Sequence, residues 1–163
     1  MGLTDGFNDR QAIMAIKNSL QTNLEDPLEQ YSSSDRNWIH TDEPMSRATF
    51  PRIQVRKRGA TYTKKISLCE DFIEWRALVL DIQFWTKTGF KWKDTDNLWY
   101  QDEELVKEWL DKAWVCLKAQ QNTLKASFGI TGLLPINEED AYLEPDSQLF
   151  TGTISLRLWY FRR

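Results

Sequence analysis

A long segment with a two-residue period constrains the fold of this chain more than any other feature. Between residues 71 and 87, one side of the segment is apolar and is formed by Leu78, Leu80, Ile82 and Phe84. The other side mixes apolar and polar residues, namely Ala77, Val79, Asp81, Gln83 and Trp85. Because successive side chains of a strand point to opposite faces, the segment predicts a long strand with one core face. Its second face is half apolar, so we expect another part of the protein to cover some of it.

A shorter strand is predicted before this one. Ile53 and Val55 alternate with polar residues between positions 51 and 57, as in a half-buried strand. The run Lys57-Arg58-Gly59 then predicts a turn, followed by a polar loop through Lys65.

The C-terminal part of the chain predicts two more strands. Residues 149–162 alternate over their whole length. Residues 130–137 predict a short strand at a sheet edge, because Pro135 has no N–H to donate to a neighbour. Between these two strands, residues 138–148 predict an acidic loop.

Two segments have helical periodicity. The first, at residues 8–24, begins with Asn8 and Gln11 in the spacing of a capping box and ends before Pro27. The second runs from Asp102 to about residue 128, stops at a glycine, and carries an apolar stripe of Leu105, Val106, Trp109, Leu110, Ala113, Leu117 and Leu124.

These elements predict an α+β fold with the order α-β-β-α-β-β. We expect a mostly antiparallel sheet of about four strands, with the N-terminal helix and one long central helix packed on it. A length of 163 residues fits a single domain, 1–163. The irregular, polar stretch at about residues 25–50 is interpreted as an arm that orders on a neighbour.

The supply of chemically active residues argues against an enzyme. The two cysteines, Cys69 and Cys116, form no CxxC, and His40 is the only histidine, so a Cys/His zinc site is excluded by ligand number. No glycine-rich loop precedes a helix, and no serine lies in G-x-S-x-G. We therefore predict no catalytic residues, no metal and no cofactor.

Charge is distributed unevenly along the chain. The net charge is only −3, which argues against a dedicated nucleic-acid binder. The stretch from Phe50 to Leu68 has six basic and no acidic residues, whereas that from Glu138 to Asp146 has five acidic and no basic ones. Opposite patches can pair head to tail between copies of a chain, although two solvated loops are an equal alternative.

Eight tryptophans are a second sign of an interaction surface, because tryptophan is common at interfaces. Charge and tryptophan together give ten candidate inter-subunit contacts: Arg56, Lys57, Arg58, Lys64, Lys65, Glu138, Glu139, Asp140, Trp38 and Trp92.

The order of elements resembles the tail-terminator and tail-completion (head–tail joining) proteins of tailed bacteriophages and related archaeal viruses. The residues that carry the resemblance are Ile13-x-x-Ile16 with Leu20, Phe50-Pro51-Arg52-Ile53-Gln54-Val55, Arg76-Ala77-Leu78-Val79-Leu80-Asp81-Ile82, Trp109-Leu110, Gly129-Ile130 and Leu156-Arg157-Leu158-Trp159-Tyr160. The resemblance covers roughly residues 8 to 162.

The resemblance implies a structural virion protein. Such a subunit is made in the host cytoplasm and forms a homo-oligomeric ring, typically hexameric, in the tail or neck. The ring terminates the tail tube, joins it to the head connector, and allows the transient passage of DNA; no membrane partner is expected. A small cellular interaction or adaptor module without catalytic activity is the alternative.

Overall fold

The computed structural model describes residues 8–31, 36–41, 49–68 and 71–162, and at 61–68, 71–74 and 161–162 it describes the backbone alone. The helices are α1 (Asp9–Asn23), a short 3-10 helix (Pro27–Gln30), α2 (Asp102–Ala119) and α3 (Gln121–Phe128). The strands are β1 (Ile39–His40), β2 (Arg52–Leu68), β3 (Asp71–Lys87), β4 (Lys91–Lys93), β5 (Trp99–Gln101), β6 (Ile130–Glu144) and β7 (Leu149–Arg162).

The strands form a mixed five-stranded sheet and a separate small hairpin. The large sheet has the order β1-β2-β3-β7-β6. Each of its four long strands, β2, β3, β7 and β6, is antiparallel to its neighbour among them. It is mixed because β1 pairs with β2 in parallel. The architecture is α+β, but the predicted order α-β-β-α-β-β and the four-stranded sheet are wrong. Strands β1, β4 and β5 have two or three residues each, too few for periodicity to reveal.

The single long central helix predicted at residues 102–128 is also wrong. The structure has two helices, α2 and α3, separated at Gln120, whose φ of −91° and ψ of 4° leave the helical region. Leu117 and Leu124 are both buried on either side of the break. Their seven-residue spacing is what one continuous helix would show, so the sequence pattern did not reveal that α3 turns to pack on β6.

Two strands are longer than predicted. The run Lys57-Arg58-Gly59 is not a turn, since β2 continues through it with a β-bulge that leaves Arg58 unmatched in the ladder to β3. The predicted acidic loop is strand as far as Glu144. Both errors have one cause: pairing with a neighbouring strand holds each polar run extended, and hydrophobic periodicity cannot detect such a strand.

Helices α1 and α2 cover one face of the sheet, and the N-terminal start of α1 is as predicted. Asn8 Oδ1 accepts the Gln11 N–H at 3.0 Å, and Gln11 Oε1 accepts the Asn8 N–H at 2.8 Å, which is a complete capping box. Under α2, Gly152 of β7 allows a close approach, because a Cβ there would lie 2.7 Å from Val106 Cγ1.

The second face of β3 is covered as expected, even at its polar positions. Asp81, Gln83 and Trp85 are all buried. Asp81 Oδ1 accepts a hydrogen bond from Ser155 Oγ of β7 at 2.7 Å, which gives the buried carboxylate a partner.

The described parts of the predicted arm pack against the rest of the chain. Arg36 donates from Nε and Nη2 to the two carboxylate oxygens of Asp26, at 2.5 and 2.8 Å. Residues 36–41 then lead through Trp38 into β1, while residues 32–35 and 42–48 lie outside the described residues. Two further hydrogen bonds tie the arm to residues outside it: the Ile39 N–H donates to Gln21 Oε1 of α1 at 3.1 Å, and Gln30 Nε2 donates to the Lys93 carbonyl at 3.0 Å.

Candidate assembly surfaces at the two sheet edges

Strand β6 forms one edge of the large sheet and is unusually open. All seven residues from Leu134 to Asp140 are exposed, and Leu134 is 52% exposed although it is apolar. A strand with one covered face would alternate between buried and exposed residues. This segment is therefore open on both faces as well as along its unpaired edge, which no other described strand covers.

The acidic candidates lie within this open segment. Glu138, Glu139 and Asp140 are exposed, and none forms an ion pair within the described part of the chain. Glu138 is in register with Ile154 and Glu139 with Thr153. Because Ile154 belongs to the core under the helices, Glu138 lies on the helix-covered face of the sheet and Glu139 on the opposite face.

The basic candidates lie on β2, beside the opposite edge. Strand β1 pairs only with Ile53 and Gln54, so beyond these residues no described strand pairs with the outer side of β2. The next polar stretch, Arg56 to Arg58, is exposed. Lys64 and Lys65 follow on the same strand, and their side chains lie outside the described residues.

The three described bases also have acidic neighbours within the chain. Arg56 Nε lies 3.5 Å from Asp81 Oδ2, and Arg58 Nη1 lies 3.9 Å from Asp81 Oδ1. Lys57 points to the other face, where its Nζ lies 2.5 Å from Asp9 Oδ2. Their side chains nevertheless remain 42–50% exposed, so each can still face a second acidic group from solvent.

Asp9 is the centre of an ionic cluster that sequence reasoning missed. Arg76 donates to its two oxygens from Nε and Nη2 at 2.5 and 2.6 Å, and Tyr160 and Lys57 donate as well. Burial raises the pKa of Asp9, but the hydrogen bonds from Arg76, Lys57 and Tyr160 outweigh it and hold the pKa well below its ordinary value. The only sequence signal was an acid in the first turn of a helix.

The two tryptophan candidates are not equivalent. Trp38 is 1% exposed and packs edge to face on Trp109, with the ring centroids 5.5 Å apart. It therefore offers no surface to a neighbouring subunit. Trp92 is half-buried against the same ring, and the Lys112 ammonium lies 5.1 Å from its centroid. The most exposed tryptophan is instead Trp99, at 56%, which composition alone could not distinguish from the others.

Asp94, the two cysteines and His40 carry groups capable of acid–base or metal chemistry, and the described ones have structural roles. Asp94 accepts the N–H groups of Asp96 and Leu98 and so closes the β4–β5 turn. Cys116 is a free thiol whose pKa is raised by burial, while Cys69 lies outside the described residues. His40, in β1, is paired with Gln54 across the strands.

Neither a metal-binding cluster nor a membrane-spanning helix is present among the described residues. No group of three or more His, Cys, Asp or Glu side chains there is placed to hold a metal ion. None of the described helices has the length and apolar character needed to span a membrane.

No protein-family model matches this chain, and a search of curated proteins finds no match either.

Proposed function

We propose that this chain is a structural subunit that assembles head to tail with copies of itself and has no catalytic role. One observation carries the proposal: the acidic and the basic candidates lie at opposite edges of one sheet. Strands β3 and β7 separate the two edges, and three strand spacings amount to roughly 14 Å. The acidic edge of one copy is therefore positioned to meet the basic edge of another rather than its own.

The charges also favour one arrangement of copies over the other. Two acidic β6 edges would repel each other, as would two basic β2 edges, so a symmetrical dimer through like edges is disfavoured. Contact between unlike edges leaves one free edge of each kind on every growing chain of subunits. Such heterologous contacts close into a ring when the rotation between subunits permits it.

The place of the ring in a virion is proposed from the resemblance to tail-terminator and tail-completion proteins. The helix α1, the long strand β3, the helix that bears Trp109-Leu110, and the closing strand β7 are the elements that carry that resemblance. On this basis the ring, typically of six subunits, belongs to the tail or neck. Its partners are the tail tube and the head connector, and DNA passes transiently through its centre.

The mass of the purified protein in solution tests self-assembly. Light scattering after size exclusion is run over a range of concentrations at low and moderate salt. We expect a mass several times that of the monomer at high concentration and a shift toward monomer as salt rises, because exposed charges are screened. A strict monomer in every condition would contradict self-assembly and favour an adaptor module.

Charge-reversed variants test whether the β6 and β2 edges form the contact between subunits. Glu138→Lys, Glu139→Lys and Asp140→Lys, made together, are expected to reduce assembly strongly. Lys64→Glu with Lys65→Glu should do the same from the other edge without replacing a known partner of Asp9 or Asp81.

The matched control reverses three exposed carboxylates that lie outside both the large sheet and the arm, Asp96→Lys, Glu103→Lys and Asp111→Lys. It changes net charge by the same amount as the β6 variant. Assembly that falls equally in the control and in the β6 variant would show that net charge, not the sheet edge, governs association.

A further inference from the structure

We infer that the β6 edge of one copy pairs with the β2 edge of the next through an antiparallel backbone ladder, so that a single sheet continues from subunit to subunit. The inference rests on the proposed function, because it requires a second copy of the chain. It goes further by assigning the two strands, their relative direction and their register.

Strand direction is the first argument. From β2 through β3 and β7 to β6, each long strand is antiparallel to its neighbour. With four alternating strands, β6 runs opposite to β2. Copies related by a rotation about an axis inclined only moderately to the strands therefore bring β6 beside β2 in antiparallel orientation, and the alternation continues across the contact.

The heights of the open segments are the second argument. Through the register of the sheet, Arg56 lies level with Asp81, Ser155 and then Asn137. Gly59 lies level with Leu134 by the same route. The exposed parts of the two edges thus lie at the same height, so neighbouring copies need little displacement along the strands to bring them together.

The faces on which the side chains lie limit which β6 residue can pair with a given β2 residue across the contact. Moving one strand by an odd number of residues would place every side chain on the wrong face. A shift of two residues, roughly 7 Å, preserves the faces. It fits a closed ring when the strands are tilted from the ring axis, as the strands of a closed barrel are. It sets Glu139 opposite Arg56 on the outer face and Glu138 opposite Lys57 on the helix-covered face, so both acids gain a basic partner.

The form of the edges supports a selective contact. β6 has Pro135 and three interruptions of register, and such features normally protect an edge strand from indiscriminate pairing. β1 protects only the start of β2. The parts of β2 and β6 that no described strand pairs with carry charges of one sign each. This permits β-strand addition by the opposite edge and opposes it by a like edge.

Disulfide trapping tests both the contact and its direction. In a Cys69→Ser, Cys116→Ser background, either Arg56→Cys or Gly59→Cys is combined with one cysteine scanned through residues 134–140. Gly59 suits the test because an added Cβ would meet no atom within 4 Å. The assembled protein is treated with a mild oxidant and separated on a non-reducing denaturing gel.

We expect a ladder of covalent oligomers rather than dimers alone, because every copy carries both cysteines. With Arg56→Cys, the yield should be several-fold higher at Glu139 than at the adjacent positions, whose side chains lie on the opposite face. Moving the β2 cysteine to Gly59 should move the best β6 position toward Leu134, since partners in an antiparallel pair move in opposite directions.

Three results would overturn the inference. One is a best position that moves the other way, which indicates a parallel contact. The second is assembled protein, verified by light scattering, that gives no ladder; this leaves self-assembly intact and rejects the strand pairing. The third is a monomer at every concentration, which rejects both. Single-cysteine controls complete the design, because a dimer from either one alone would reveal pairing of like edges.

Discussion

The helix-covered side of the sheet and the β6 edge use carboxylates in opposite ways. Asp9, at the start of α1, accepts hydrogen bonds from Arg76, Lys57 and Tyr160 and so joins the helix to three strands. Glu138 and Glu139 form no ion pair within the described part of the chain. Burial explains the difference, because a carboxylate removed from water must be compensated inside the protein, whereas an exposed one is solvated.

The comparison distinguishes the Asp9 carboxylate, which forms ion pairs within the fold, from the β6 carboxylates, which are exposed to solvent. Removing Asp9 takes away the carboxylate that lies 2.5 Å from Nε of the buried Arg76. Removing the β6 acids leaves no described group without a partner. Charge at the β6 edge is thus expected to influence association and charge at Asp9 to influence folding, and each of the following predictions tests one side of that distinction.

The largest effect is expected from Asp9→Asn. The substitution keeps the size of the side chain but removes the charge beside Arg76, and we expect a loss of about 3 kcal/mol in the free energy of unfolding. Urea denaturation measures it. Glu139→Gln is the matched control from the other region and should change stability by less than about 0.5 kcal/mol. Equal losses in both variants would erase the distinction between the two regions.

Gly152→Ala tests packing on the helix-covered side without changing charge. The added Cβ would lie 2.7 Å from Val106 Cγ1 and 3.3 Å from Leu110 Cδ1. We expect a loss of about 2 kcal/mol, because the α2 contact has to shift. Gly59→Ala, where the new methyl group has open space, should be nearly neutral. A neutral Gly152→Ala would mean that α2 moves away from β7 at little cost.

The pH dependence of the free energy of unfolding should report the contribution of the ionised Asp9 carboxylate. Its folded pKa lies below the ordinary value of 3.8, so its contribution is complete above that value and is lost as pH falls through the folded pKa. We expect the difference in unfolding free energy between the wild type and Asp9→Asn to be constant from about pH 5 to 8 and to shrink below about pH 4. A difference that stays constant under acid would indicate that the ionised carboxylate contributes nothing.

The smallest effect on stability is expected when the β6 acids are neutralised together as Glu138→Gln, Glu139→Gln and Asp140→Asn. Monomer stability, measured by thermal unfolding at a concentration too low for assembly, should change by less than about 0.5 kcal/mol. At high concentration the same variant should assemble less than the wild type. A large loss of monomer stability would show that these acids serve the fold after all.

The long strands and the first helix illustrate what periodicity can reveal. β3 and β7 have the predicted limits, and α1 begins at the predicted capping box, because in each case the local sequence and the packing favour the same structure. The turn predicted at Lys57-Arg58-Gly59 failed for the opposite reason. A polar, glycine-containing run is typical of a turn, but pairing with β3 keeps it extended.

The candidate contacts were predicted only as charged stretches. The sequence placed Arg56 and Lys57 on a strand, but it assigned Lys64, Lys65 and the acids after Ile136 to loops. It also could not show that the two strands lie at opposite sides of one sheet. It also could not show that Trp38 is buried while Trp99 is exposed, because a tryptophan suits a core and an interface equally well.

By itself, the sequence determined the α+β elements with strong local periodicity, the core faces of the long strands, and the separation of charge along the chain. Tertiary structure decided the strand order, the break between α2 and α3, the Asp9 cluster, and the placement of acid and base at opposite edges. The physical reason is range: periodicity and capping act over a few neighbouring residues, whereas strand pairing and ion pairing join residues far apart in the chain, such as Asp9 and Tyr160.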